Sequence, residues 1–286
     1  MNAWSPRSPC TPGCAVHGAP PVRASDAALR CLNFLLAAGG SLLAGDSLDR
    51  PDAVRNRARR LLDALGVRLE GDDSPLSLPG DGGPPVGTLI VADHVSWLDV
   101  PALLAREPAS LVAKREVGHW PLVGRLARRA GTCFLERESP RALPGAVAAV
   151  RDRLLAGQSV IVFPQGTTWC TEAGGSYRRA MFQSAIDAGA PVRPVTVSYR
   201  QHGVPSTVAA FVGDDSFVGS LRRVARAGGL AVRVEAHEAL RPGAGVDRRM
   251  LAAAARRASS GGAPGAAAHG AGVRLPRSTE VSGRHA

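Results

Sequence analysis

The pair of residues in this chain with the clearest capacity for chemistry is His94 and Asp99, which lie in the stretch VADHVSWLDV (91–100) directly after an apolar run. A carboxylate that accepts the N–H of an imidazole fixes its tautomer and leaves the other nitrogen basic. Such a pair can take a proton from a hydroxyl group and make that group a better nucleophile. Because a histidine and an aspartate at this spacing are common by chance, an ordinary polar pair at the edge of a core is the alternative.

Two further stretches carry cations that suit a phosphate-bearing substrate. VAKREVGHWPLVG (112–124) holds Lys114, the only lysine of the chain. GTCFLERES (131–139) ends an apolar run in Arg137, whose guanidinium can hold a phosphate through two hydrogen bonds. A surface arginine is the structural alternative for Arg137.

A third stretch, VFPQGTTW (162–169), ends an apolar run in a turn. Gly166 and Thr167 can present backbone N–H and hydroxyl donors to a phosphate there, although a turn glycine needs no ligand. Three of the four tryptophans fall within these stretches and the one around His94. Chance is therefore a poor explanation for the set.

The elements that must position these residues alternate between short apolar strands and helices. Strands are expected over 88–93, 131–137, 159–164, 194–199, 207–213 and 230–240, and helices over 96–106, 144–156, 178–188 and 216–227. This alternation is typical of the α/β class, with a single mixed or parallel sheet flanked by helices. Open α/β sheets bind ligands at the carboxyl ends of their strands, where the polar residues above fall.

The N-terminal segments are expected to associate with a membrane. The apolar stretch 28–45 is interrupted by polar residues, and its cleanest part is too short to span a bilayer. It can lie in the membrane interface, dip partway in or pack as a core helix. Residues 50–67 form a basic amphipathic helix, which suits either an anionic membrane or the surface of its own domain.

The net charge of +11 indicates an anionic partner such as nucleic acid, a phospholipid surface or a phosphorylated substrate. Much of the charge lies in the tail, because residues 241–286 contain eight arginines and two acidic residues. Aromatic residues make up only 4% of the chain and do not alternate with basic ones. Nucleic-acid binding is therefore disfavoured.

The five cysteines are scattered and odd in number, which fits a reducing compartment. Cys10, Cys14 and His17 have the spacing of metal ligands, but a fourth ligand is missing and the segment is rich in Pro, Gly and Ser. We therefore predict no metal site. The predicted parts are a disordered leader at 1–26, membrane-associated helices at 27–67, a folded domain at 68–240 and a basic, mostly disordered tail at 241–286, within which 248–258 can form a helix.

These stretches resemble the glycerolipid acyltransferases, specifically the 1-acyl-glycerol-3-phosphate (lysophosphatidic acid) acyltransferase family. HVSWLD (94–99) matches the His-x4-Asp block of the family, and GTCFLER (131–137) matches its second block. FPQGTT (163–168) and APVRPVTVSY (190–199) match the third and fourth blocks. The resemblance covers about residues 50–240, in the family's order and spacing.

The resemblance implies a phospholipid-synthesising O-acyltransferase with the glycerolipid acyltransferase fold. His94, oriented by Asp99, acts as general base on the acceptor hydroxyl, which attacks the acyl thioester directly. Arg137 and the turn at Gly166 and Thr167 hold the acceptor phosphate, with Lys114 adding charge. Pro164 and Pro194 support the motifs, and the block around Pro194 lines the acyl or acceptor site.

The implied substrates are a lysophospholipid, first 1-acyl-glycerol-3-phosphate, and acyl-CoA or acyl-carrier protein, with no cofactor and no metal. Lyso-ornithine lipid, which lacks a phosphate, is the alternative acceptor. The implied location is the cytoplasmic face of the cell membrane, in peripheral or monotopic association. No nucleic-acid partner is implied.

The chain departs from the family at two positions. Gln165 replaces the usual Glu, which keeps the shape but removes a charge and adds a hydrogen-bond donor. Either catalysis is weakened, leaving an acyltransferase-like membrane protein, or the residue serves as a brace and the change is tolerated. Asp93 replaces the more usual Asn or Gly and places a second carboxylate beside the histidine.

Overall fold

The fold is described from a computed structural model. The described residues are 6–43, 50–72, 74–78, 85–119, 124–125, 128, 131–135, 139, 141–171, 174–261 and 273–274.

The centre of the molecule is a sheet whose main strands follow the order β1-β8-β6-β2-β5-β3-β4. The strands are β1 Arg68–Glu70, β2 Leu89–Ala92, β3 Ser110–Lys114, β4 Cys133–Leu135, β5 Val160–Val162, β6 Val192–Gln201, β7 Val204–Pro205, β8 Leu230–Ala236, β9 Leu240–Arg241 and β10 Val273–Arg274. Strands β4, β3, β5, β2 and β6 run parallel to one another, whereas β8 runs antiparallel to β6. The sheet is therefore mixed, as the sequence predicts.

Helices cover both faces of the sheet. They are α1 Ala24–Leu43, α2 Pro51–Ala64, α3 Asp99–Arg106, α4 Leu143–Leu155, α5 Ala180–Ala188, α6 Phe217–Arg226 and α7 Arg248–Gly261. The side chains of β2 alternate between the two cores: Ile90 packs with the helices α2, α3 and α6, and Leu89 packs with α4, α5 and α7. All four residues of β2 are buried, which explains its continuous apolar sequence. The predicted fold class is confirmed.

The register of the parallel strands brings their carboxyl ends to one edge of the sheet. Val91 of β2 lies opposite Val162 of β5, and Ala92 lies opposite Val195 of β6. Lys114 ends β3 beside Leu135, the last residue of β4. The stretches that follow these strands are the ones in which the sequence places its candidate site residues.

One predicted strand is wrong. Residues 207–213 form turns and loop rather than a strand. Two of their carbonyl groups bind a side chain instead of a neighbouring strand: the Arg223 guanidinium donates to the carbonyl oxygens of Val208 and Ala210 at 2.9 and 2.7 Å. The Phe211 N–H donates to the carbonyl of Val95 at 2.9 Å, which fastens this loop to the one that carries His94.

Residues near both ends of the chain contact the domain where the structure describes them. Residues 6–23 lie against the domain: the Gly18 N–H donates to Gln201 Oε1 at 2.9 Å, and the Val22 N–H donates to the carbonyl of Arg226 at 2.9 Å. In the tail, α7 is longer than the predicted helix at 248–258 and buries Leu251 against the sheet. Short-range composition could not reveal these long-range contacts.

Helix α1 contains most of the apolar stretch 28–45. One face packs on the domain through Ala27, Phe34 and Ala38, which are buried. Another face carries leucines that are more than half exposed, at positions 29, 32, 35 and 36. No described helix meets the length and hydropathy that a membrane crossing requires.

Candidate active site

His94 and Asp99 contact each other at the carboxyl end of β2. His94 Nδ1 lies 2.8 Å from Asp99 Oδ2. The Asp99 side chain is fully buried, whereas the His94 side chain is 17% exposed. Because Asp99 occupies Nδ1, Nε2 is the nitrogen that can accept a proton from outside.

Asp99 also folds the loop that carries the histidine. Its Oδ2 accepts hydrogen bonds from the backbone N–H groups of Val95 and Ser96 at 2.8 and 2.9 Å, and its Oδ1 accepts one from the Tyr199 hydroxyl at 2.5 Å. These bonds satisfy a carboxylate that would otherwise be costly to bury. Helix α3 begins at Asp99 rather than at the predicted Ser96, so the aspartate belongs to the helix and the histidine to the loop.

The imidazole of His94 is fixed on a second side by an aromatic ring. The ring of Phe163, which follows β5, stacks on it with a centroid separation of 4.0 Å and an interplanar angle of 18°. A hydrogen bond and a stacked ring together restrict the rotation of the imidazole. The histidine is therefore held in one orientation before any substrate binds.

Tyr199 shows how burial maintains this arrangement. It is 4% exposed and lies on β6, which neighbours β2. Burial, followed by the charge of Asp99, raises the pKa of Tyr199 well above its usual value. The phenol therefore stays protonated and donates to Asp99. Sequence reasoning missed this residue, although it lies within the fourth family block.

Gln165 braces the histidine loop against the following loop. Its Oε1 accepts a hydrogen bond from the backbone N–H of His94 at 2.7 Å, and its Nε2 donates to the carbonyl oxygen of Gly174. The residue is buried, with 4% of its surface exposed. A glutamate could make the first contact but has no donor for the second. These contacts favour the brace over the interpretation that the amide marks a weakened site.

Asp93 binds a partner from the C-terminal helix. Its Oδ1 lies 3.2 Å from the Arg256 guanidinium of α7 and accepts a hydrogen bond from the Tyr177 hydroxyl at 3.0 Å. Burial, followed by the charge of Asp93, raises the pKa of Tyr177 far above its usual value. Arg256 also contacts the carbonyl of Gly174 at 3.4 Å, so the network reaches the group that Gln165 binds. Sequence reasoning placed Arg256 in the possible helix at 248–258 of the tail but did not predict this contact with Asp93.

The segment after β5 forms a tight turn around Gly166. Gly166 has a φ of 75°, a conformation that favours glycine, and its N–H donates to the carbonyl of Phe163 at 3.0 Å. Pro164 is buried, and its carbonyl accepts from the Arg178 N–H at 2.8 Å. Thr167 follows the turn and is partly exposed. The Gly166 N–H is therefore used within the turn, and the assignment of Gly166 and Thr167 to phosphate binding stays a prediction.

The predicted cations are less firmly placed. Lys114 ends β3 at the same edge of the sheet, is 41% exposed and forms an ion pair with Glu116 at 3.1 Å. Arg137 lies outside the described residues, two positions beyond the end of β4. Pro194 is buried within β6, opposite Val91 of β2, and its carbonyl accepts from the His237 N–H at 2.9 Å. The position of Pro194 is therefore beneath the site, inside the sheet.

Trp97 connects the site to the N-terminal helix. Its ring contacts Phe34 of α1 edge-on, with centroids 5.5 Å apart, and Phe217 of α6 at 5.1 Å. Its indole N–H donates to Ser220 Oγ at 3.1 Å. Helix α1 thus packs directly on the His94–Asp99 motif, with its exposed leucines on another face.

Comparison with known proteins gives a consistent result. Residues 84–198 match the family model described as Acyltransferase. The chain is 40% identical over 166 residues to the lyso-ornithine lipid O-acyltransferase of Pseudomonas aeruginosa, covering 57% of this chain and 63% of that protein. It is 36% identical over 187 residues to the 1-acyl-sn-glycerol-3-phosphate acyltransferase of Neisseria meningitidis serogroup B, covering 65% of this chain and 71% of that protein.

The fold has a relative among solved structures. The crystal structure of the 1-acyl-sn-glycerophosphate (LPA) acyltransferase PlsC from Thermotoga maritima matches with a TM-score of 0.54 and 20% identity. The match covers 83% of this chain and 96% of that chain. At this identity, the likeness supports the fold.

Proposed function

The chain belongs to the same acyltransferase family as the neisserial 1-acyl-sn-glycerol-3-phosphate acyltransferase, and from this premise we propose that it transfers a fatty acyl group from an acyl thioester to the free hydroxyl of a lysolipid. The first candidate acceptor is 1-acyl-glycerol-3-phosphate, which gives phosphatidic acid. The observation that carries the proposal is the imidazole of His94, held by the buried Asp99 at 2.8 Å and open on its other nitrogen.

The reaction proceeds without an acyl-enzyme. His94 Nε2 takes the proton of the acceptor hydroxyl as its oxygen attacks the thioester carbonyl, and Asp99 stabilises the imidazolium that forms. The tetrahedral intermediate then collapses, the carbon–sulfur bond breaks, and the departing thiolate takes the proton from His94. The products are the acylated lipid and the free thiol of coenzyme A or of acyl-carrier protein. No further cofactor or metal takes part in these steps.

Phosphate recognition belongs to the edge of the sheet beside His94. The candidates are Arg137, Lys114 and the turn at Gly166 and Thr167. Their support is topological, because β3, β4 and β5 are parallel and their carboxyl ends lie together. Arg137 contributes most, since its guanidinium can bind a phosphate with two hydrogen bonds. Lys114 contributes less because Glu116 already neutralises it.

Lyso-ornithine lipid is the second candidate acceptor. The P. aeruginosa relative, named for this acceptor, is 40% identical to the chain. The Glu116 partner of Lys114 also lowers the net positive charge available for a phosphate. Both acceptors present a free hydroxyl to the same base, so the catalytic geometry serves either.

The enzyme works at the membrane surface, where the lysolipid and the product reside. The exposed leucines of α1 provide an apolar face, and the same helix contacts Trp97 of the catalytic motif through Phe34. Arginines 59 and 60 on α2, which packs against α1, are exposed and suit anionic headgroups. We place the protein at the cytoplasmic face of the cell membrane in peripheral association.

A panel of acceptors tests the proposal. The purified full-length protein is given labelled acyl-CoA, or acyl-carrier protein loaded with the same chain, and equal amounts of 1-acyl-glycerol-3-phosphate, lyso-ornithine lipid, lysophosphatidylethanolamine and lysophosphatidylcholine. We expect the highest kcat/KM with 1-acyl-glycerol-3-phosphate. A preference for lyso-ornithine lipid would support the second candidate. Failure to acylate any of these acceptors from either donor would contradict the proposed function.

A further inference from the structure

Three cysteine sulfurs converge outside the active site, and we propose that Cys10, Cys14 and Cys170 bind one thiophilic metal ion of the Zn²⁺ or Cu⁺ class. The Sγ atoms of all three lie within 4.8 Å of one another. Zinc–sulfur bonds are about 2.3 Å long, so two thiolates on one tetrahedral ion lie roughly 3.8 Å apart. The observed cluster closes around a single ion with small side-chain movements.

The chain supplies these ligands in the way that structural metal sites do. Cys10 and Cys14 are separated by three residues, within the spacing usual for a local pair of zinc ligands. A short 3-10 turn at Pro12–Cys14, closed by the Cys14 N–H to the carbonyl of Thr11 at 2.9 Å, brings the second thiol back toward the first. Cys170 comes from the loop after β5, 160 positions along the chain from Cys10.

The surroundings suit a metal-bound thiolate. Cys10 is 9% exposed, and its Sγ accepts the backbone N–H of Cys170 at 3.4 Å. In metal sites, groups that do not bind the metal themselves often donate hydrogen bonds of this kind to the ligating sulfurs. Soft thiolates select Zn²⁺ and Cu⁺ over hard cations such as Mg²⁺ or Ca²⁺. Within the described residues no fourth His, Cys, Asp or Glu joins the cluster, so solvent completes a tetrahedral ion.

The third sulfur favours a metal over a disulfide. The Sγ atoms of Cys10 and Cys170 lie 3.2 Å apart and could be joined by oxidation. That reaction would leave Cys14 unused in the cluster, whereas one cation employs all three thiols. On binding, each thiol that becomes a ligand releases its proton to solvent, so the sulfurs change neither oxidation state nor covalent partner.

The ion would fasten the N-terminal segment to the catalytic loop. Cys170 follows Trp169, whose backbone N–H donates to the carbonyl oxygen of His94 at 2.9 Å. The metal would therefore join residues 10–14 to the backbone that supports the histidine. Such a clip gains most when it closes a long stretch of chain. Its role is structural, because the sulfurs take no part in the proposed acyl transfer.

Cadmium titration of the full-length protein tests the site. The protein is reduced, stripped of metal under argon and titrated with Cd²⁺ while the thiolate-to-metal charge-transfer absorption is recorded. We expect an end point at about one ion per chain, displaced by Zn²⁺. Cys10→Ser, Cys14→Ser and Cys170→Ser should each abolish that end point. Cys31→Ser and Cys133→Ser are matched controls that should retain it, because neither residue belongs to the cluster.

An end point unchanged in all three cluster variants, or no binding to the reduced wild-type protein, would overturn the metal site. A Cys10–Cys170 disulfide found by alkylating freshly lysed cells and mapping the peptides would also overturn it, since it would assign the cluster to oxidation. If the serine variants do not fold, X-ray absorption spectroscopy at the zinc edge of the zinc-loaded wild-type protein still tests the site by counting the sulfur neighbours of the metal. The proposal requires three sulfur neighbours at about 2.3 Å, and fewer would contradict it.

Discussion

The two sides of the candidate site, the base side with His94 and Asp99 and the acceptor side with the candidate phosphate-binding residues, differ in how firmly their side chains are held. On the base side, His94 contacts a fully buried carboxylate and a stacked ring, and Asp99 receives further hydrogen bonds from Tyr199 and the loop backbone. On the acceptor side, Lys114 is 41% exposed and already paired with Glu116. A base must be oriented before the reaction, since misplacement costs rate directly. Cationic side chains that bind the acceptor can stay exposed to solvent and move onto the acceptor when it binds.

This difference indicates that specificity for the acceptor lipid resides on the acceptor side. In the proposed reaction the base side serves any hydroxyl, because His94 would contact only the reacting group. The acceptor side must distinguish a phosphate from another headgroup, and its cations can change without disturbing the buried pair. Relatives that are named for two different acceptors are consistent with this division. Substitutions on the base side should therefore alter kcat, and substitutions on the acceptor side should alter the KM of the acceptor.

The largest effect is expected for Asp99→Asn. The amide keeps the size of the side chain, but it has no charge to stabilise the imidazolium. Its NH2 group would also face an N–H or O–H group that now donates a hydrogen bond to Asp99. We expect kcat to fall roughly 10³- to 10⁴-fold, with little change in the KM of the acceptor. Steady-state acyl transfer measures both. Asp187→Asn, at an exposed position on α5, is the matched control and should keep wild-type activity. A rise in the KM of the acceptor with no change in kcat would instead indicate that Asp99 acts in acceptor binding.

The next effect is expected for Arg137→Ala. Loss of a charge-assisted contact to phosphate should lower kcat/KM for 1-acyl-glycerol-3-phosphate roughly 10- to 100-fold, mainly through KM. Lyso-ornithine lipid, which has no phosphate, should be affected less. Lys114→Ala is the comparison variant, and its effect should stay within about fivefold because the residue is exposed and paired. Equal losses with both acceptors would show that Arg137 does not read the phosphate.

The smallest of these effects concerns Gln165→Glu. The glutamate loses the donor to the Gly174 carbonyl and buries a charge at a 4% exposed position. We expect the free energy of unfolding to fall by about 1–3 kcal/mol and activity not to rise. Chemical denaturation and the acyl-transfer assay measure the two quantities. Gln158→Glu, in an exposed turn, is the control and should change neither. A gain of activity would instead support the interpretation that Gln165 marks a weakened site.

Sequence reasoning located the base side because its parts follow strands. The apolar run before His94 predicts a buried strand, and parallel strands must bring their carboxyl ends together. The same rule applies to Gly166, which follows a predicted strand, whereas the strand that ends at Lys114 was not predicted. Partners that lie far apart in sequence could not be found this way. Tyr199 contacts Asp99 across 100 positions, and Arg256 contacts Asp93 across 163.

Local patterns also failed where side chains replace strand partners. The segment 207–213 is apolar enough to predict a strand, yet two of its carbonyl groups accept hydrogen bonds from Arg223. Cys10 and Cys14 have the spacing of a metal pair, but their third member comes from the loop after β5. A sequence pattern reveals the periodicity of one helix or strand. The Arg223 contacts and the cysteine cluster depend instead on which segments of the chain pack together in the fold.

The most direct test of the account is acyl transfer by His94→Ala. Wild type and variant are compared under single turnover with saturating acyl-CoA and 1-acyl-glycerol-3-phosphate, after circular dichroism has shown equal folding. His202→Asn, at an exposed turn with a φ of 49° that asparagine tolerates, is the control. We expect the rate to fall by at least about 100-fold in His94→Ala and to stay unchanged in the control. A His94→Ala rate within a few-fold of wild type would contradict the role of this histidine as the base.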